Sequence, residues 1–206
     1  AGRPLGLVVF VHGGYWLRFG RRDFSHLAQG ACLRDWAVAM PSYPLAPEAS
    51  IPEITQSVAM AITEAASRIA GPIVLAGHSA GGHLVARMGQ DDVGLPSAVR
   101  GRIQKIVPIS PVADLLPLMQ TEMNVTLKLT KASAKAESPA YRLRPNDTDV
   151  HIWVGAEERS VFLEQAKLLA TNWQAGLTIE VSKHHFDIIA GLEDPDSSLM
   201  AALLED

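Results

Sequence analysis

A single cysteine, Cys32, stands among 206 residues. One thiol excludes an intrachain disulfide and any cysteine-rich metal site, and it fits a reducing cytoplasm. Its place in the helical pattern Leu27–Leu33 leads us to expect a packed small hydrophobe. Basic residues are also in short supply. Eighteen Lys and Arg against 22 Asp and Glu leave a net charge of −4, so there is no electrostatic footprint for nucleic acid. Long apolar runs are missing as well. None approaches the roughly 20 residues of a membrane span, and no membrane partner is expected. The sequence has no repeats and no low-complexity tract. It starts at Ala1 with no initiator Met and no signal-peptide pattern, which leads us to expect that the true N-terminus lies upstream.

What is present is a patterned globular chain, 48% hydrophobic and 19% charged. That is enough for one sizeable core, read as a single domain over 1–206. Strand-like apolar runs at 5–11, 36–40, 73–76, 103–109, 150–154 and 177–181 alternate with helical patterns at 24–33, 54–69, 80–88, 161–173 and 197–204. Continuous apolar strands are buried on both faces, which indicates a parallel sheet. Alternation with helices indicates a doubly wound α/β fold, helices on both faces. The stretch 115–144 breaks the rhythm. It carries Pro117 and Pro139, with Pro145 just beyond, around one helix-like piece, Met123 to Ala136. Such an insertion is a lid, a pocket wall or a plain surface excursion.

The stretch Gly77-His78-Ser79-Ala80-Gly81 directly follows the run Ile73–Ala76. In G-x-S-x-G between strand and helix, the serine sits on a tight turn with its hydroxyl exposed. A serine capping the helix at Ala80–Met88 would leave the same trace. A second loop, His12-Gly13-Gly14-Tyr15-Trp16, follows the first strand. Its H-G-G form supplies backbone N–H groups to an oxyanion hole. The N–H groups of Gly14, Tyr15 and Ala80 are the expected donors, and Tyr15 and Trp16 the expected substrate-binding side chains.

A serine nucleophile needs a base and an orienting acid. Of seven histidines, His184 and His185 follow the last strand, where the base belongs. His185 precedes the apolar anchor Phe186-Asp187-Ile188-Ile189 and is the favoured base. For the acid, the loop after Trp153-Val154 offers both Glu157 and Glu158. Arg159 is expected to pair with whichever stays on the surface. No metal and no cofactor is called for.

Together these residues resemble the kynurenine formamidase (arylformamidase) branch of the α/β-hydrolases. The resemblance is carried by His12–Trp16, Ser42-Tyr43-Pro44-Leu45-Ala46-Pro47-Glu48, Gly77–Leu84, Val154-Gly155 through Phe162 with Gln165, and His185–Ile189. It implies the α/β-hydrolase fold and a triad of Ser79, His185 and a carboxylate three residues after Gly155, which is Glu158. It also implies a small-molecule formyl amide or ester substrate, a cytoplasmic location and a homodimer. The branch tends to carry Ser-Gly-Val-Tyr-Asp-Leu where this chain has Ser110-Pro111-Val112-Ala113-Asp114-Leu115, so the aromatic pocket loses a tyrosine. Two strands implied ahead of Leu5 have no counterpart here, so fewer than eight strands are expected. A general carboxylesterase uses the same machinery, and a non-catalytic hydrolase-fold binding protein is the reading from another class.

Overall fold

The structure, a computed structural model, describes residues 2–205. Six strands form one all-parallel sheet in the order β2-β1-β3-β4-β5-β6. They are β1 Leu7–Val11, β2 Ala37–Ala39, β3 Ile73–His78, β4 Ile103–Ile109, β5 Asp149–Gly155 and β6 Gly176–Glu180. The helices, in chain order, are α1 Gln29–Leu33, α2 Ile51–Arg68, α3 Ala80–Met88, α4 Ser97–Arg100, α5 Asn124–Leu127, α6 Lys131–Glu137, α7 Ser160–Trp173 and α8 Ser198–Leu204. This is the doubly wound α/β arrangement expected from the alternation of strands and helices, and it fits the α/β-hydrolase fold that the resemblance implies.

The burial pattern explains the layering. Strands β1 and β3 are buried at every position, as continuous Val, Leu, Ile and Ala demand. Alternate residues feed two cores. Val9, Val11, Ile73 and Leu75 pack with α2, α3 and α7 on one face. Val8, Phe10, Val74 and Ala76 pack with α1 and α8 on the other. The helix after β1 and the helix after β3 therefore cover opposite faces. A crevice opens at that switch point, outside the carboxyl ends of the strands.

Three local readings change. Helix α2 starts at Ile51 rather than Ile54, because the Ser50 N–H bonds Glu53 Oε2 at 2.7 Å and forms a capping box. The helix expected over 24–33 is a 3₁₀ turn, Arg21–Ala28, followed by the short α1. The piece expected over 123–136 is split in two. Lys128 takes a left-handed φ of 52° that ends α5, and Thr130 caps α6 by accepting from the Ser133 N–H at 3.1 Å. Cys32 lies exposed on the short α1, not in the core. Among the described residues no helix is long and apolar enough to cross a membrane.

Candidate active site

The nucleophile-type serine sits where its turn is most constrained. Ser79 joins β3 to α3 with φ 56° and ψ −113°, a region that side chains enter only at a cost and that strand-to-helix elbows impose. The glycines around it are sterically required. A Cβ on Gly81 would collide with the Val11 carbonyl, and one on Gly77 with the Gly81 carbonyl. Ser79 is 2% exposed, yet it lines the floor of a cleft of about 1000 Å³.

The carboxyl ends of five strands converge here. After β1, Gly14 has φ 110°, and Tyr15 and Trp16 have φ 53° and 59°. Among the described residues the N–H groups of Gly14, Tyr15 and Ala80 meet no internal acceptor. Three donors therefore remain free beside Ser79, Ala80 being at the helix start, where N–H groups are unpaired by geometry. His12 braces the loop from behind. Its ring stacks on Tyr43 at 4.4 Å and on Phe24 at 5.7 Å, and the Tyr43 hydroxyl donates to the His12 carbonyl at 3.0 Å.

After β5 and β6 come the candidate acid and the candidate base. Glu158 Oε2 stands 2.6 Å from His185 Nδ1. Its other oxygen accepts from the Ser110 hydroxyl and from the Gly155 N–H at 3.0 Å. Burial alone would raise this carboxyl. The bonds from His185, Ser110 and Gly155 outweigh it and hold the group below its ordinary value. Glu157 is exposed, and among the described residues it forms no hydrogen bond or ion pair with His185. Among the described residues Arg159 forms no ion pair with it, contrary to expectation. Phe162 stacks on the His185 ring with centroids 3.9 Å apart. His78, the variable residue of the G-x-S-x-G turn, has its Nε2 2.8 Å from the His185 carbonyl. Burial, reinforced by the neighbouring His185 ring, pushes His78 down to about 3. The ring is therefore neutral, and Nε2–H donates. No hydrogen bond joins Ser79 and His185 in this structure, although both line the cleft. Such contacts commonly tighten only with substrate bound.

Four of the expected side chains, Ser79, His185, Glu158 and Tyr15, are brought together at this cleft. Trp16 is not. It is fully buried, its indole edge-on to His83 with centroids 5.1 Å apart, because two successive left-handed residues turn it into the core. Ala113, at the position of the expected tyrosine, is also fully buried, its N–H held by Gln165 Oε1 at 2.8 Å. The aromatic wall comes from elsewhere, from Tyr15, Phe19, Phe24, Phe162 and Phe186, with Met123 from the 115–144 stretch. Ser110 was not singled out in the sequence. Its place at the end of β4, a strand end left without a role, was the available signal.

This fold and this cleft are those of an α/β-hydrolase. The chain belongs to that family, whose model, described as the alpha/beta hydrolase fold, matches residues 8–176. Within it the chain is similar to the kynurenine formamidase of Salmo salar, 29% identical across 97% of this chain and 72% of the relative. It is also similar to a crystal structure from a Silicibacter species, provisionally described as a thioesterase. That protein is 54% identical, with a TM-score of 0.96 across 98% of this chain and 77% of the other. An esterase from Pyrobaculum calidifontis shares the fold alone, at 20% identity and a TM-score of 0.72 across 98% and 75% of the two chains. The chain is thus a hydrolase of the α/β-hydrolase family, similar in sequence to kynurenine formamidases.

Proposed function

We propose that the chain is a serine hydrolase that removes the formyl group from an N-formyl aryl amine of the N-formyl-kynurenine kind. The observation that carries this reading is the His185–Glu158 bond at 2.6 Å in the cleft that Ser79 lines. His185 Nε2 takes the proton of Ser79 Oγ as the oxygen attacks the formyl carbon. The N–H groups of Gly14, Tyr15 and Ala80 hold the developing oxyanion. The imidazolium, stabilised by Glu158, gives its proton to the departing nitrogen, and the aryl amine leaves. Water, deprotonated by His185, then attacks the formyl ester. Formate departs and Ser79 is restored. No step uses a metal or a cofactor.

The aromatic wall suits an aryl leaving group. Arg18 and Arg159 also line the cleft, and neither forms an ion pair among the described residues. They offer cations to an anionic group on the substrate. The 115–144 stretch serves as pocket wall through Met123. The resemblance extends the reading to a cytoplasmic homodimer, and sedimentation-velocity ultracentrifugation would test the dimer as a mass near twice 22.1 kDa.

A second reading, a thioesterase or small-acyl esterase, is favoured by the 54% identical relative. One assay separates the two. kcat/KM is compared on N-formyl-kynurenine, p-nitrophenyl acetate and an acetyl thioester, with Ser79→Ala as control. The formamidase reading requires the formamide to lead, and activity on the ester or thioester alone overturns it. Activity on none of the three would point to a different acyl substrate or to the non-catalytic binding protein.

A further inference from the structure

Three buried side-chain polar atoms among the described residues have no partner, His12 Nε2, Trp16 Nε1 and His83 Nδ1, and the last two belong to rings in contact. Both residues are fully buried, and their rings meet edge to face at 5.1 Å and 85°. His83 sits one helical turn beyond Ser79, its N–H bonding the Ser79 carbonyl at 3.0 Å. Its Nε2 lies 2.7 Å from the Glu137 carbonyl at the end of α6. A carbonyl only accepts, so Nε2 carries the proton. Burial pushes the ring down to about 4, so it is neutral near pH 7 and Nδ1 is an acceptor. Indole Nε1–H can only donate. A lone donor and a lone acceptor thus sit on adjoining buried rings, where leaving either unpaired is costly.

The donor's position in the chain gives the pair its meaning. Trp16 ends the left-handed run Gly14-Tyr15-Trp16, a backbone that persists only when its surroundings over-determine it. The Trp16 carbonyl is held by the Ala46 N–H at 2.8 Å, whereas the indole has no other polar anchor.

We propose that His83 is a positioning residue for the oxyanion loop. Its Nδ1 accepts from one internal water that takes the Trp16 Nε1–H, the two atoms making no direct bond in this structure, and so fixes the loop bearing the Gly14 and Tyr15 N–H groups to the helix that starts at Ser79. This role rests on the oxyanion assignment above and on no particular substrate.

The two amide variants divide the ring's functions. His83→Asn keeps an acceptor where Nδ1 stood and loses the bond to Glu137. His83→Gln keeps a donor where Nε2 stood and loses the acceptor. On p-nitrophenyl acetate, His83→Gln is expected to lower kcat at least about tenfold with KM little changed, since the oxyanion forms only in the transition state. His83→Asn is expected to restore most of that loss. Trp16→Phe, which keeps a ring but removes the N–H, is expected to match His83→Gln. Without substrate, the Trp16 indole ¹H–¹⁵N resonance, assigned by its absence in Trp16→Phe, should move in the Gln variant and hold in the Asn variant. Equal losses in the two amide variants, wild-type kcat in Trp16→Phe, or an unmoved resonance in His83→Gln would each overturn the role. If Ser79→Ala still hydrolyses the ester, the nucleophile assignment fails instead, and the resonance still reports on the pair.

Discussion

Glu158 and His185 reach each other from the loops after two neighbouring strands, β5 and β6, and meet at 2.6 Å between Oε2 and Nδ1. The bond fixes the imidazole tautomer and leaves Nε2 facing the cleft. Glu158→Gln is therefore expected to lower kcat by about 10³-fold or more, the scale seen when the orienting acid of such a triad becomes an amide. Glu157→Gln, at an exposed position, should stay within about twofold of wild type. Steady-state kinetics on one substrate decides between them, and the reverse order would move the acid to Glu157.

Acid should destabilise the fold through His78. Its folded value of about 3 lies well below the unfolded 6.5. Between these values the unfolded chain binds a proton that the folded chain refuses, so stability falls as pH drops from 6.5 towards 3. Each such site contributes a slope of about 1.4 kcal/mol per pH unit in that window. His78→Gln, which removes the titrating group, should flatten the slope by about that amount in urea titrations at stepped pH. Glu158, depressed in the fold, adds to the loss only at lower pH, near the ordinary carboxylate range.

Gly14→Ala tests the oxyanion loop. At φ 110° an added Cβ would strain the backbone and press on the Arg18 carbonyl and the Phe19 ring. Turning away its N–H is expected to lower kcat by about 10²–10³-fold, the cost of one lost oxyanion donor. Circular dichroism should show the fold intact. A variant with wild-type kcat would remove Gly14 from the hole.

Arg159→Gln tests the cationic wall. KM for a substrate with an anionic group on its leaving side should rise about tenfold, the order of one partly exposed charge-assisted hydrogen bond. KM for p-nitrophenyl acetate, which is uncharged, should not change. Equal effects on both would place Arg159 outside the binding surface.

The strands were legible because burial on both faces forces continuous Val, Ile, Leu and Ala. Ser79, His185 and the Gly14 loop were legible because each motif follows a strand end. Periodicity failed where a single residue redirected the chain. Lys128 ends α5 in the left-handed region, and the cap at Thr130 with Ser133 restarts the helix, which an apolar pattern alone reads as continuous. Trp16 was misplaced for a related reason. Its position in the candidate oxyanion loop suggested the cleft, but the left-handed backbone that follows Gly14 buries it. Residue type alone left Glu157 and Glu158 open, and the resemblance favoured Glu158, the carboxylate that the fold sets against His185 and Ser110.

The most direct test of Ser79 as nucleophile is intact-protein and peptide mass spectrometry after treatment with a fluorophosphonate, which traps serines activated by a neighbouring base. One adduct on Ser79, absent in Ser79→Ala and slowed in Glu158→Gln, is the predicted result. Labelling that persists in Ser79→Ala, or no labelling of an enzyme that turns over substrate, would contradict the account.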